Sequence, residues 1–347
     1  MSGALLVTES RVAVVTDLGR ARGPALGLPV NGALDQYSAR VGNILVANDE
    51  GAPIIEVTAF DLAFTADADV LLAVTGAPMG VRVDGVPRPM WEPVSVRAGQ
   101  SVSLAGMTEG LRTYVAVHGG FDVPLLLGSC APDTVAGFGT VLAPGTALPV
   151  RRSIDPIVNP YFDMSLFNLD VLVPYLGGDA IIDVTDGPDA EQFAGTADRL
   201  LREPFTVTAK SNHIGLRLTG DLPVRRSTEE VISRGVPVGA VEVPPGDELL
   251  VLHRGRGVTA GYPVLAVVAP LSLDDLGQVR PGQRVRFRHS TVEQAERNAR
   301  LWRDRLDALR QRIGTIYSCL GVAAQLGLPE AVPSAAADHT IAWEVHS

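Results

Sequence analysis

Lysine is nearly missing from this chain: Lys210 stands alone beside 28 arginines in 347 residues. That scarcity excludes two chemistries. There is no Gly-x-x-x-x-Gly-Lys loop, so no standard phosphate loop for ATP is present. Lys210 lies in Ala-Lys-Ser rather than between methionines, so the chain does not resemble a biotin carrier. ATP or biotin chemistry, if any, must arrive on a partner. Cysteine is as sparse. Cys130 and Cys319 make neither a disulfide framework nor a metal site, and a reducing cytoplasm is the expected compartment. The six histidines are scattered, without the paired spacing or carboxylate cluster that zinc uses, so no metal is expected. No uncharged apolar run approaches membrane-spanning length. The start, Met1-Ser2-Gly3-Ala4, lacks a basic segment followed by an apolar core, so neither a secretory signal nor a membrane partner is expected. A net charge of −10 argues against a nucleic-acid surface.

Aromatics are only 5%, whereas glycine (36) and proline (25) are plentiful, a composition that fits many short strands joined by tight turns. A repeat organises them. Ser95-Val-Arg-Ala-Gly-Gln-Ser-Val-Ser-Leu104 recurs as Gln278-Val-Arg-Pro-Gly-Gln-Arg-Val-Arg-Phe287, a turn followed by an alternating strand. Ile55-Glu56-Val57 leading to Leu62 is echoed by Val241-Glu242-Val243 leading to Leu249. Two related β domains follow, and the groove between them is the first place to look for a site. The expected boundaries are 1–150 and 178–289, with a packed connector at 151–177.

A first strand pair is expected within residues 4–20, built on Leu5, Val7, Val12 and Val14. Tyr37, Val41, Ile44 and Leu45 are spaced for a helix over Asp35–Val46. A second helix, over 290–313, carries Val292, Ala295, Ala299, Trp302, Leu306, Leu309 and Ile313 on one stripe. Ser290 with Glu293 reads as its capping box and Gly314 as its stop. This helix either lies on its own domain or docks a partner subunit. The tail, 314–347, is unassigned.

Gly27-Leu-Pro-Val-Asn-Gly-Ala-Leu-Asp35, Gly42-Asn-Ile-Leu-Val-Ala-Asn48 and Ile55-Glu-Val57 resemble the opening signature of the allophanate hydrolase subunit 2 family. Gly110-Leu-Arg-Thr-Tyr-Val-Ala-Val-His-Gly-Gly120, with Val123-Pro124 and Leu127-Gly-Ser129, resembles its second signature. The blocks Gly215–Gly220, Gly239–Pro245 and Thr259–Pro263 follow in the family's order. The resemblance spans roughly residues 5 to 310. It implies a mainly β fold: two cyclophilin-like β-barrel domains related by internal duplication, plus the C-terminal amphipathic helix. It also implies a partner similar to allophanate hydrolase subunit 1, a further catalytic subunit, and a small amide, urea or lactam as substrate. Family members include the C subunit of ATP-dependent 5-oxoprolinase and carboxyltransferase domains of biotin-dependent urea amidolyases. ATP held with partner subunits, or carboxybiotin, is therefore implied by the resemblance alone. A non-catalytic regulatory barrel is the reading from another class.

The second-half blocks depart from the family pattern. His213-Ile214 stands for Arg-Met, Glu242 for a glutamine, and Gly255 and Val258 for an acid and a threonine. The first-half blocks look intact.

A site for a small amide needs a carboxylate for proton transfer, polar groups to orient the substrate and a cation for an oxygen. Asp35, Asn43, Arg112 and Tyr114 are the candidate catalytic residues. Asp35 sits where a glycine-rich loop meets a helix, and reads equally as that helix's N-cap. Asn43 reads as functional and Asn48 as a helix terminator. Arg112 and Tyr114 lie two apart on a strand and share a face. Amid apolar neighbours they mark an anion site, or an arginine buried against a structural acid such as Glu56. His118, Gly119, Gly120, Ser129, Arg217, Glu242, Thr259 and Tyr262 are the candidate substrate-binding residues. Gly119, Gly120 and Ser129 bring backbone N–H groups near an anion or simply make tight turns. His118 serves as acid or base, or only packs. Glu242 replaces an amide by a pure acceptor when ionised. Thr259 and Tyr262 form a loop that walls a pocket.

Overall fold

A computed structural model of the protein describes residues 3–157, 169–227 and 231–329. The fold is mainly β. In the N-terminal unit one six-stranded sheet runs, in spatial order, Thr140–Val141, Ala13–Thr16, Ile54–Thr58, Arg112–Val117, Val70–Gly76, Pro93–Val96. A second runs Ala147–Pro149, Ala4–Ser10, Leu62–Ala66, Ser101–Ala105, Gly80–Val83, Val86–Arg88. Leu5, Val7 and Phe64 from the second sheet meet Val15, Val57 and Val115 from the first in one core. Strand alternation decides this. The inward residues of Ala13–Thr16 are Ala13 and Val15, not the expected Val12 and Val14, because successive side chains face opposite sides and the core takes the other set. Val12 and Val14 face outward instead.

The outer face of the first sheet is covered as well. Helix α1 (Gln36–Leu45) lays Val41, Ile44 and Leu45 against Leu71, Ala73 and Ala116. Strands Val70–Gly76 and Arg112–Val117 are consequently buried at every position. A polar side chain in either must find a partner.

In the C-terminal unit seven strands close a barrel: Ala180–Asp186, Val264–Val268, Ala240–Glu242, Leu249–Leu252, Gly215–Thr219, Phe205–Val207 and Arg284–His289. Ile182, Phe205, Leu218, Val241, Val251 and Phe287 fill it. A short helix, α2 (Arg199–Arg202), crosses beside it, and α3 (Ser272–Gln278) projects towards the first unit. The sequence repeat is a structural one. In each copy glutamine turns back on the arginine three residues earlier. Gln100 Oε1 accepts from Arg97 N at 2.8 Å and Gln283 Oε1 from Arg280 N at 3.1 Å. The intervening Gly99 and Gly282 have φ of 85° and 86°, a region open to glycine without strain. Upstream the copies differ. Pro93–Val96 is a strand, whereas Gln278 ends α3.

The last helix, α4, runs Val292–Cys319, longer than expected. Thr291 and Gln294, not Ser290 and Glu293, form the capping box: Thr291 Oγ1 accepts from Gln294 N at 3.2 Å, and Gln294 Oε1 from Thr291 N at 3.0 Å. Gly314 lies inside the helix, where its cost relative to alanine is only about 1 kcal/mol. The stripe does not pack on the barrel it follows. Leu306, Leu309, Ile313 and Tyr317 bury against α1 of the N-terminal unit, and Tyr317 donates to the Leu45 carbonyl at 2.7 Å. The first turns, including Val292 and Leu301, stay exposed. Of the connector, Ile154, Ile157 and Leu169 join the same buried cluster, while 158–168 and the tail from 330 lie outside the described residues.

Candidate active-site cleft between the two units

Where the sheets of the first unit face the barrel, a cleft of about 520 Å³ opens. Val12 and Val14, turned outward by strand phase, form part of one wall with Leu34 and Leu111. Leu216, Leu276 and Val279 line the opposite side. The polar floor consists of Asn31, Glu56, Arg112, His213 and His253. Apolar walls around a few convergent polar groups suit a small organic ligand.

Arg112 and Tyr114 do share a face, as strand geometry requires, and both turn to Glu56. Arg112 Nε lies 3.6 Å from Glu56 Oε1, and Tyr114 donates to Glu56 Oε2 at 2.7 Å. The Leu34 amide also donates to Oε2, at 3.2 Å. Arg112 reaches across to the second unit and bonds the Gly277 carbonyl. Arg112 and Glu56 touch the cleft, whereas Tyr114 is wholly buried behind it and accepts from the Asp35 amide at 3.0 Å. Asp35 takes the N-cap role. Its Oδ1 accepts from Ser38 N at 2.9 Å, and its Oδ2 from Gln278 Nε2 at 2.6 Å. It is buried behind the floor rather than lining the cleft.

Gln278 is the clamp between units. Its Oε1 accepts from the amides of Leu111 and Arg112, both at 2.9 Å, while Nε2 donates to Asp35 and to the Arg112 carbonyl. Next to it Asp274 Oδ1 accepts from Gln36 N at 2.9 Å and faces Arg254 at 3.6 Å. Asp274 and Asp35 lie close together here. Burial, then Asp35, pushes Asp274 up to about 7 against the pull of Arg254. Asp35 itself is raised by burial, with Glu56 adding to it and the bonds from Gln278 and Ser38 opposing. Such a set can hold and release protons near neutral pH.

The second unit supplies two imidazoles. His213 sits over Gly255, where an added Cβ would lie 2.6 Å from its Cδ2. The His213 carbonyl oxygen would lie only 2.7 Å from that Cβ as well, so no side chain fits at 255 beneath the ring. Burial and then Arg112 lower the His213 pKa.

Other candidates lie elsewhere. Asn43 ties down the turn after α1, donating to the Glu50 and Ala52 carbonyls at 3.2 and 3.0 Å. His118 and Gly119 line a second cavity of about 790 Å³, beside α4 and away from the cleft. His118 Nδ1 meets the Val46 carbonyl at 2.8 Å, and burial lowers its pKa. Gly120 turns at φ 72°. Ser129 is buried and donates to Asp17 at 2.6 Å. Arg217 pairs with Glu248 at 3.2 Å on the barrel surface. Glu242 is buried in the barrel wall, and burial alone pushes its carboxyl up to about 7. Thr259 belongs to a small ladder with Gly235, and Tyr262 lines a third cavity with Pro244 and Pro245. Of the twelve candidates, then, the cleft surface gathers Arg112 alone, with Tyr114 and Asp35 behind it. His253, Arg254, Asp274 and Gln278 escape a reading of the sequence. Only Gln278 carries a signal there, as the first residue of the repeat.

Two β units thus meet at a cleft with a charged floor. The chain belongs to the carboxyltransferase domain family, subdomains A and B, which matches residues 26–289. It is 30% identical to the C subunit of 5-oxoprolinase from Escherichia coli, over 84% of this chain and 92% of that one. It is 29% identical to urea amidolyase of Saccharomyces cerevisiae, over 76% of this chain but 15% of that far longer one. The crystal structure of TTHA0988 superposes with a TM-score of 0.73 at 33% identity, over 83% of this chain and 56% of that one.

Proposed function

We propose that this chain is the C-type subunit of a heteromeric, ATP-dependent hydrolase of small lactams, with 5-oxoproline the leading substrate. The observation that carries the reading is the cleft between the units, apolar-walled with Arg112 and Glu56 on its floor. The nearly full-length similarity to the 5-oxoprolinase C subunit supports the substrate. In this reading the chain forms part of the substrate pocket: its own residues bind and orient the amide, and the raised carboxyl of Asp274 holds a proton nearby. Activation by ATP belongs to the partners, a homologue of allophanate hydrolase subunit 1 and a further catalytic subunit. No membrane-spanning helix occurs among the described residues, and a cytoplasmic site of action is part of the proposal.

The test is reconstitution with the partner subunits, scoring ADP and ring-opened product together. ATP consumption that rises with 5-oxoproline, and in step with product, is expected. A folded complex that binds nucleotide but turns over no lactam would refute it. A second reading, carboxyl transfer from carboxybiotin to a urea-like acceptor, is supported by the similarity to urea amidolyase. It predicts turnover only when a biotinylated carrier is added.

A further inference from the structure

Two buried donors on the cleft floor have no acceptor. His253 is 1% exposed and lines the cleft. Its Nδ1 accepts the main-chain N–H of Arg254 at 3.0 Å, so the proton of the neutral ring resides on Nε2. Burial, followed by Arg254, Arg112 and His213, holds the ring well below its ordinary pKa and therefore neutral. Nε2 has no hydrogen-bond partner. Arg112 is 7% exposed and also lines the cleft, and its Nε is without a partner too. The nearest carboxylate oxygen, Glu56 Oε1, is 3.6 Å away, beyond hydrogen-bond reach. Buried donors left unmade are uncommon and costly. Two of them lining one cleft call for an acceptor brought from outside.

We propose that His253 Nε2–H and Arg112 together receive the carbonyl oxygen of the ligand, while Glu56 Oε1 accepts its amide N–H. An acyl oxygen has two lone pairs, and the cleft offers two donors. Glu56 Oε2 is occupied by Tyr114 and Leu34, which leaves Oε1 for the ligand. In a lactam or a urea, C=O and an N–H project from the same edge. In a trans secondary amide they project from opposite edges. Arg112 Nε and Glu56 Oε1 stand side by side, 3.6 Å apart, so the cleft selects the cis-amide edge, and His253 adds the second donor to its oxygen. The absence of a side chain at Gly255 is part of the arrangement, because it seats His213 without filling the floor. The assignment rests on the cleft being the substrate pocket.

The test uses the full-length chain, with 2-pyrrolidinone as the cis-amide probe and N-methylacetamide as the trans control, titrated by NMR at about pH 7.5, where the neutral ring keeps its Nε2 proton. Pyrrolidinone should shift the His253 Nε2–H resonance. His253→Leu should weaken its binding roughly tenfold. His253→Gln, which keeps a side-chain N–H near the place of Nε2, should stay within about threefold of wild type on the same grounds. N-methylacetamide should bind roughly tenfold more weakly than pyrrolidinone. Should pyrrolidinone bind with that resonance unmoved, bind His253→Leu unchanged, or bind no better than N-methylacetamide, the subsite is wrong and the pocket stands. Should neither amide bind the wild-type cleft, the pocket reading falls and the subsite with it. If His253→Leu does not fold, the wild-type resonance and His253→Gln decide.

Discussion

Glu56 and Glu242 occupy matching places in the two halves, each on a strand that follows Ile or Val and precedes Val. Their surroundings are opposite. Glu56 takes bonds from Tyr114 and Leu34, faces Arg112 and opens onto the cleft. Glu242 is buried in the barrel wall, and its Oε1 has no partner. The two copies of the Arg-x-Gly-Gln turn, by contrast, have kept the same internal bond. The two halves share the turn bond and differ at the matching carboxyls, because a turn is satisfied locally and a buried carboxylate is not. The first half became the side with a charge pair at the cleft. The second half reaches it through α3, Gln278 and two neutral imidazoles.

Four experiments bear on that contrast. The largest effect is expected at the two family arginines. Arg112→Ala strands Glu56 beside the cleft and should cost about 3–5 kcal/mol, whereas Arg217→Ala removes a surface pair and should cost less than about 1 kcal/mol. Denaturant unfolding of both variants checks this, and equal losses would erase the distinction. Gln278→Leu comes next. It removes four hydrogen bonds between the units and leaves buried amides unpaired, for a loss of about 3 kcal/mol. Retained stability would mean the units are held by α4 rather than by the clamp.

Glu242 carries the third. The unfolded chain titrates near 4.5, while in the fold burial pushes the carboxyl up to about 7. Folding therefore favours the protonated form: that stability is complete below about 4.5 and is lost as pH rises to about 7. Glu242→Gln should accordingly be more stable than wild type at about pH 8 by roughly 2 kcal/mol and no more stable at about pH 4. A gain that does not depend on pH would contradict the cause. Glu56→Gln, which removes the counter-charge of Arg112, should destabilise under the same alkaline conditions instead. The smallest effect is at the shared turns. Gln100→Ala and Gln283→Ala should each cost about 1 kcal/mol and to similar extents, measurable as matching shifts in Tm. A large asymmetry would show that the copies no longer do the same job.

Residues whose meaning is local are legible in the chain itself. Alternation and turn residues point to the β class, the repeat to its duplicated turn, and the 3.6-residue stripes to α1 and α4. The shared face of Arg112 and Tyr114 follows from strand geometry alone. Even so, apolar spacing turns Val12 and Val14 inward, because apolar character cannot distinguish a core wall from a cleft wall. The capping box slips by one residue for a similar reason: Ser290-Thr291 offers two hydroxyls, and only the helix axis chooses between them. Asn43 and His118 fall in the same ordered blocks as Asp35 and Arg112, but the strand carries His118 to the far end of the sheet.

The elements, the duplication and the family are thus written in the chain, since each depends on patterns within a few residues or on ordered blocks. That α4 returns to the first unit, and that Asp35 is a cap behind the cleft, emerges only once the units are packed. The same packing places His253 and Gln278, more than a hundred residues downstream, against Arg112. Pairings of that kind are set by how two curved sheets and one short helix meet in space, and no local pattern encodes the meeting.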